Sequence, residues 1–76
     1  MAKKTKDVSA VYKVIELVGT STVGFADAAA NGVKVAGRSL RDLRVAEIDK
    51  LDVKIEGNKL VYRAKMKVSF KYHGND

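Results

Sequence analysis

Apolar and polar side chains alternate along three stretches of the chain, which predicts three β-strands. The first stretch, residues 8–18, is rich in β-branched and aromatic residues. The second covers residues 43–55. The third, residues 59–71, alternates strictly between an apolar face and a mostly cationic face. Residues 56–58 contain a glycine and an asparagine that tolerate positive φ, which predicts a hairpin turn between the last two strands.

The period of the pattern changes between the first two strands. Residues 25–41 place small and apolar side chains on one stripe of a 3.6-residue helix. The stripe consists of Phe25, Ala28, Ala29, Gly32, Ala36 and Leu40. The opposite face carries Asp27, Lys34, Arg38 and Arg41. Residues 19–24, with glycine at both ends, are interpreted as a turn. The predicted order is therefore β-α-β-β, an α+β fold that ends in a long antiparallel hairpin.

The hairpin is too long for the helix that should cover it. Strands of 13 residues outrun a 17-residue helix by roughly 15 Å. Apolar side chains continue into the overhang, at Leu51, Val53, Ile55, Leu60 and Tyr62. The second strand also changes phase between Ile48 and Leu51, which indicates a bend, a bulge or a change of contacting partner. We therefore expect neighbouring subunits to cover the overhang.

Composition supports the same expectation. A chain of 76 residues forms one domain with a modest core, and it has no cysteine and only one histidine. Disulfides and cysteine or histidine-rich metal sites are thus excluded, which leaves oligomerisation as the main support for the core. Residues 1–7 are interpreted as a disordered basic leader, 8–72 as the domain and 73–76 as a disordered tail. No apolar run is long enough for a membrane span, which predicts a soluble, cytoplasmic protein.

Three segments resemble the dodecin family: VYKVIELVGTS at residues 11–21, LRVAEI at 43–48 and YRAKMKVSF at 62–70. The resemblance runs from about Val11 to Tyr72, and its first segment is the most specific. It implies a three-stranded antiparallel sheet wrapped around one helix. It also implies a homododecamer of twelve copies in a hollow shell, without enzymatic activity.

The resemblance also locates a ligand site. Flavin-binding dodecins stack the flavin on a tryptophan in the second strand and hydrogen-bond it through a glutamine in the third. The matching positions are Val45, two residues before Glu47, and Arg63, which follows Tyr62. Valine lacks the ring area and quadrupole for stacking, and arginine offers donors but no acceptor. The pattern matches the flavin-free calcium dodecins, so flavin is not the expected cofactor.

The charged residues of the second strand could bind other ligands. Glu47 and Asp49 offer carboxylate oxygens to a calcium or magnesium ion, although no calcium loop of standard spacing is present. Regular alternation places Asp52 on the face of the sheet opposite Glu47 and Asp49. The alternative is a set of surface salt bridges to Arg44, Lys50 and Lys54. Residues 19–21 suit either a helix-capping turn or an anion-binding nest.

The basic face of the third strand is interpreted as a solvated or lumen-facing side of the sheet rather than a nucleic-acid track, because it lacks exposed aromatic residues between its cations. The same cations could also attract a small anionic ligand. No nucleophile–base pair or carboxylate dyad predicts catalysis. The sequence hypothesis is therefore a homododecameric shell that binds or stores small ligands or ions. The alternatives are a dodecin that binds riboflavin or FMN through other contacts, and a structural shell without a ligand.

Overall fold

The computed structural model describes residues 10–72. In that range the chain forms β1 (Tyr12–Ser21), α1 (Phe25–Ser39), β2 (Leu43–Glu56) and β3 (Lys59–Lys71). All pairing is antiparallel and the strand order is β1-β3-β2, so β3 is central. The predicted β-α-β-β order and α+β class are confirmed. No helix in this range is long and apolar enough to cross a membrane. The predicted leader and tail lie outside the described residues.

The first strand ends later than predicted. Residues 19–21, predicted as the start of a turn, continue β1 and pair with residues 62–64 of β3. The reason is a close approach at Gly19, where a Cβ atom would overlap the carbonyl oxygen of Ala28. The glycine therefore lets the helix backbone lie directly against the strand, and it does not serve a turn. Within the described residues β1 begins at Tyr12, after residues 10 and 11, and the predicted strand residues 8 and 9 lie outside that range.

The helix begins without a side-chain cap. Gly24 occupies the N-cap position with an extended backbone, and no side chain caps the first turn. Ser21 instead donates its hydroxyl to Asp27 Oδ2 at 2.7 Å and accepts the N–H of Val23 at 2.8 Å. The predicted capping turn at residues 19–21 is therefore wrong. Those residues also form no anion nest, because they lie in the sheet.

The helix ends at Ser39, two residues before the predicted end. Leu40 is extended and donates its N–H to the carbonyl of Ala36 at 3.0 Å. Asp42 has a φ of 57°, in the left-handed region that aspartate enters more readily than most residues. This connection turns the chain into β2, and Arg41 lies in it rather than on the helix.

The core lies between the helix and the middle of β3. The buried helix residues are small, as predicted, and comprise Ala28, Gly32 and Ala36. The buried residues of β3 are Ala64, Met66 and Val68, none more than 1% exposed. Ala29 is partly buried and packs against this core. Phe25 and Leu40, predicted on the buried stripe, are also only partly buried, because they lie at the two ends of the helix.

The second strand contains two bulges, at Arg44 and Asp49, where an extra residue lies between consecutive cross-strand pairs. The bulge at Asp49 explains the predicted change of phase, because Ile48 and Leu51 both pair with residues on the helix side of β3. The bulge at Arg44 was not part of the predicted pattern. Its position next to the start of the strand leaves too few residues for a periodic signal.

The hairpin runs past the helix, as predicted. The molecule measures 59 × 20 × 14 Å, and its Cα radius of gyration is 15.9 Å. A compact chain of this length has a radius of gyration of about 11 Å. The overhang leaves Ile55 73% and Leu60 47% exposed. Leu51, predicted in the overhang, lies opposite the buried Ala64 and is 50% exposed. At its tip Gly57 has a φ of 60°, whereas Asn58 does not take the positive φ for which it was suited.

Candidate functional site

The predicted site residues lie on the face of the sheet away from the helix, which we call the open face. Cross-strand partners share a face, so the strand register assigns its members. From β3 these are Arg63, Lys65, Lys67 and Ser69. Their partners on β2 are Asp52, Lys50, Glu47 and Val45, in the same order. Their partners on β1 are Thr20, Val18, Glu16 and Val14.

The bulge at Asp49 corrects the predicted arrangement of carboxylates. Regular alternation placed Asp52 on the face opposite Glu47, and that prediction is wrong. Glu47 pairs with Lys67 and Asp52 pairs with Arg63, which puts both carboxylates on the open face. The extra residue of the bulge shifts the phase of every later side chain in β2.

Arg63 is bound to Asp52 through two parallel hydrogen bonds. Its Nε lies 2.7 Å from Oδ1 and its terminal nitrogen Nη2 lies 3.1 Å from Oδ2. The hydrogen bond from Arg63 is the main reason that the pKa of Asp52 lies below its ordinary value, and it raises the pKa of Arg63. The predicted ion partners of Asp52 were Arg44, Lys50 and Lys54. The charge of Lys50 also lowers the pKa of Asp52, whereas the direct partner, Arg63 on β3, was not predicted. The bidentate bond fixes the guanidinium against a carboxylate.

Val45 is 60% exposed and pairs with Ser69. Val14, in the same row, is 55% exposed, and Ser69 of the central strand lies between the two valines. Arg63 lies six residues from Ser69 along β3, which is about 20 Å on an extended strand. One chain therefore does not bring Val45 and Arg63 together. A single ligand that touches both positions needs two subunits.

The candidate metal ligands lie beside a lysine. Glu47 pairs with Lys67 across the strands, and Asp49 Oδ2 lies 3.5 Å from Lys67 Nζ. Between residues 10 and 72, no three histidine, cysteine, aspartate or glutamate side chains come together as a metal site. Carboxylate oxygens are the ligands that calcium prefers, but calcium takes 6–8 of them. A cation site built on Glu47 and Asp49 therefore requires further oxygens, from water, from backbone carbonyls or from a second chain.

An apolar groove between β1 and the helix was not predicted. It has a volume of about 300 Å³, and its lining includes Ile15, Leu17, Val18, Val35 and Leu40. The signal in the sequence was Val35, an apolar residue outside the predicted stripe that is 56% exposed. Among residues 10–72, the groove and the overhanging hairpin are therefore both uncovered apolar surfaces.

Comparison with known proteins agrees with this architecture. The sequence model of one family, Dodecin, matches residues 11–73. The calcium dodecin of Mycobacterium tuberculosis is 44% identical over 62 residues, which are 80% of this chain and 87% of that protein.

Solved structures give the same result. A crystal structure of Mycobacterium tuberculosis calcium dodecin, described as calcium-chelating with a novel calcium-binding site, has a TM-score of 0.79 and 40% identity. The alignment covers 87% of this chain and 96% of that one. Dodecin from Streptomyces davaonensis has a TM-score of 0.80 and 27% identity, over 86% and 97% of the two chains. Sequence and fold together show that this chain belongs to the dodecin family.

Proposed function

We propose that this chain is a non-enzymatic dodecin whose twelve copies close into a hollow shell that binds small ligands or ions without stacking a flavin. The observation that carries the proposal is the overhanging hairpin. Its apolar residues Ile55 and Leu60 are 73% and 47% exposed, and the helix does not extend over them. The number of copies follows from the resemblance to dodecins. A cytoplasmic location, without membrane or nucleic-acid partners, belongs to the same proposal.

The shape of the uncovered surfaces supports closed assembly. The overhang is a projecting hairpin, whereas the groove between β1 and the helix is concave. Contacts between two different surfaces are heterologous, and such contacts form a closed ring or cage when the rotation between subunits closes. A second copy of the chain supplies the apolar partner that each surface lacks.

The open face supports the absence of flavin stacking. Val45 presents a small aliphatic side chain where flavin-binding dodecins place an aromatic ring. Arg63 presents a guanidinium already bound to Asp52. A flavin ring edge carries both donors and acceptors. Arg63 itself offers only donors, and two of them are already bound to Asp52.

A hard cation, calcium or magnesium, is the ligand class that the carboxylates favour. Glu47 and Asp49 are two residues apart in β2, and both lie beside Lys67. Similarity to a protein named calcium dodecin supports calcium in particular. In this proposal a neighbouring subunit adds further oxygens, because the two carboxylates supply too few.

The assembly is tested by light scattering on the purified protein. We expect a native mass of twelve times the 8.3 kDa chain. A monomer or dimer at micromolar concentration would contradict the shell and, with it, every intersubunit site proposed above.

The flavin site is tested by quenching of riboflavin fluorescence. Wild-type protein should bind riboflavin weakly, with a dissociation constant above the micromolar range. The double variant Val45→Trp with Arg63→Gln should bind roughly 30- to 1000-fold more tightly, through restored stacking and a matched hydrogen-bonding edge. Val23→Trp adds a tryptophan outside the sheet, at a position 78% exposed against 60% for Val45, and serves as the control. Nanomolar binding by the wild type would show instead that this dodecin holds flavin through other contacts.

The cation site is tested by calorimetric titration with calcium chloride and, separately, magnesium chloride. Glu47→Gln and Asp49→Asn should each abolish the heat of calcium binding. The native mass of both variants should stay unchanged. Glu56→Gln removes an exposed carboxylate that is paired with Lys54 at 2.9 Å, and it should leave the signal intact. No signal from the wild type would favour a structural shell without a bound ion.

A further inference from the structure

Two lysines face each other across β2 and β3 on the open face. Lys50 pairs directly with Lys65, and both residues are exposed. Val18 is the β1 partner of Lys65, so this row of three residues contains no carboxylate. Side chains that oppose each other in an antiparallel pair have Cβ atoms about 4.5–5.5 Å apart, and like charges there are destabilising.

The rows on either side are different. Arg63 is bound to both carboxylate oxygens of Asp52. Lys67 lies opposite Glu47 and 3.5 Å from Asp49 Oδ2. Among residues 10–72, neither member of the lysine pair forms an ion pair of its own. The charge of Lys50 is the weakest of the influences that lower the pKa of Asp52, whose carboxylate is bound to Arg63. The lysine pair is therefore a concentrated positive charge between two rows whose cations are each paired with a carboxylate.

The bulge at Asp49 creates this pair. Without it, regular alternation from Glu47 would place Asp49 opposite Lys65 and give a carboxylate–lysine pair. The extra residue moves Asp49 out of that position and puts Lys50 there. Bulges commonly re-aim a side chain beside a functional site. Here the irregular backbone exchanges an attractive cross-strand pair for a repulsive one.

We propose that Lys50 and Lys65 together bind a phosphate-type dianion. Each ammonium group has three donors and no acceptor, so the pair presents six donors and two positive charges. A phosphoryl group carries about −1.5 to −2 charges near neutral pH, which matches the charge of the pair. Lysine binds phosphate as a point charge on a flexible stem, so exposed side chains can converge on the ion. Val18, 48% exposed in the same row, gives an apolar contact for the organic part of a phosphate ester.

If Lys50 binds the anion, the same residue should lower the stability of the free protein. Lys50→Glu restores an oppositely charged pair with Lys65. It should raise the thermal midpoint of the free protein by roughly 1–5 °C. The same change removes the anion site, so phosphate should no longer raise the midpoint. A structural role for Lys50 predicts the opposite, a lower midpoint for Lys50→Glu without ligand.

The experiment measures thermal unfolding and calorimetric binding at one protein concentration, with ionic strength held constant by chloride. The ligands are inorganic phosphate, adenosine 5′-monophosphate and adenosine. Lys50→Gln should lose at least tenfold in phosphate affinity. Lys54→Gln is the matched control, because it removes the same charge from the same face where Lys54 is paired with Glu56, and it should bind as the wild type does.

The ligands separate the two sources of the phosphoryl group. A response to inorganic phosphate alone supports the site and identifies a free ion. A stronger response to the nucleotide than to phosphate, with none to adenosine, supports the site and identifies a phosphate ester. The proposal is overturned if wild type responds to neither, if Lys50→Gln and Lys54→Gln bind equally, or if Lys50→Glu lowers the midpoint. Native mass and calcium binding test the shell independently.

Discussion

The two halves of β3 follow the same alternation of apolar and polar side chains but have different surroundings. In the half beneath the helix, Met66 and Val68 are 0% and 1% exposed. In the half beyond it, Leu60 is 47% exposed and its partner Ile55 is 73% exposed. The difference arises because the helix covers only one half of the strand. Fifteen helical residues span about 22 Å, whereas the 13 residues of β3 span about 43 Å.

The boundary between the halves lies at Tyr62. Its ring packs edge-on against Phe25, the first residue of the helix, with ring centroids 5.1 Å apart and an interplanar angle of 79°. Beyond this contact the helix has no residue left to cover the sheet. Alternation therefore identifies the face that needs burial, and the length of the covering element decides how much of that face one chain can bury.

The covered half should be most sensitive at Gly19. In Gly19→Ala the new Cβ would overlap the carbonyl oxygen of Ala28 and lie 3.0 Å from the amide nitrogen of Gly32. Both contacts are backbone atoms, so the helix has to move away from β1. We expect a loss of about 3 kcal/mol or more in the free energy of unfolding, measured by urea denaturation, at the upper end of overpacking effects.

Gly24→Ala is the control for this substitution. A Cβ atom at Gly24 meets nothing within 4 Å, and its φ of 170° is extended backbone that alanine adopts freely. Equal losses for the two variants would contradict the close approach of helix and strand.

A substitution in the uncovered half should change the assembly of subunits more than the stability of one subunit. Ile55→Asp places a charge on an exposed side chain, so the isolated subunit should change by no more than about 0.5 kcal/mol. The same charge in a buried contact between copies is costly without a partner. We expect light scattering to show loss of the shell while far-ultraviolet circular dichroism stays unchanged. Val23→Asp, on a residue 78% exposed outside the sheet, should assemble normally. Full assembly of Ile55→Asp would remove the hairpin from the contact surface.

Most of the fold could be predicted because its signals are periodic and local. The three strands, the helix, the overhang and the change of phase after Ile48 all follow from side-chain alternation and element length. Gly19 could not be assigned in this way, because a glycine required for close packing has the same sequence signature as a glycine in a turn. Its role depends on the distance between β1 and the helix, which is a tertiary property.

The candidate site could be predicted only in part because it depends on register. The sequence indicates that β2 changes phase, but it does not say which residue is extra. Placing the bulge at Asp49 moves Asp52 onto the same face as Glu47 and brings Lys50 opposite Lys65. Similarly, the resemblance to flavin-binding dodecins assigns Val45 and Arg63 to one ligand site. Their separation of about 20 Å within one chain follows only from the pairing of β2 with β3.

A smaller effect in the covered half is expected from Ala29→Leu. Ala29 is partly buried and packs against the core, so a larger side chain should overpack the contact of helix and sheet. We expect a loss of about 1–3 kcal/mol in the free energy of unfolding. Ala30→Leu makes the same change at an exposed helix position and serves as the control. An unchanged stability in Ala29→Leu would show that the helix stripe is rotated from the arrangement described above.

The smallest expected effect concerns the ion pair on the open face of the overhanging half. The hydrogen bond from Arg63 lowers the pKa of Asp52 in the folded protein. Aspartate in the unfolded chain has a pKa of about 3.9. Because the pKa of Asp52 is lower in the folded protein, the ion pair stabilises the fold fully at pH values above that value. This stabilisation is lost as the pH falls from there through the folded pKa.

The corresponding measurement is the free energy of unfolding between about pH 5 and pH 2, over the range in which aspartate titrates. Asp52→Asn should lose less stability than the wild type as the pH falls, because it has no carboxylate to protonate. Both partners are 43% exposed, so solvent screens the pair and the difference should shrink further in high salt. Glu56→Gln controls for the loss of a different exposed carboxylate. Parallel curves for the wild type and Asp52→Asn would mean that the bidentate bond positions Arg63 without stabilising the hairpin.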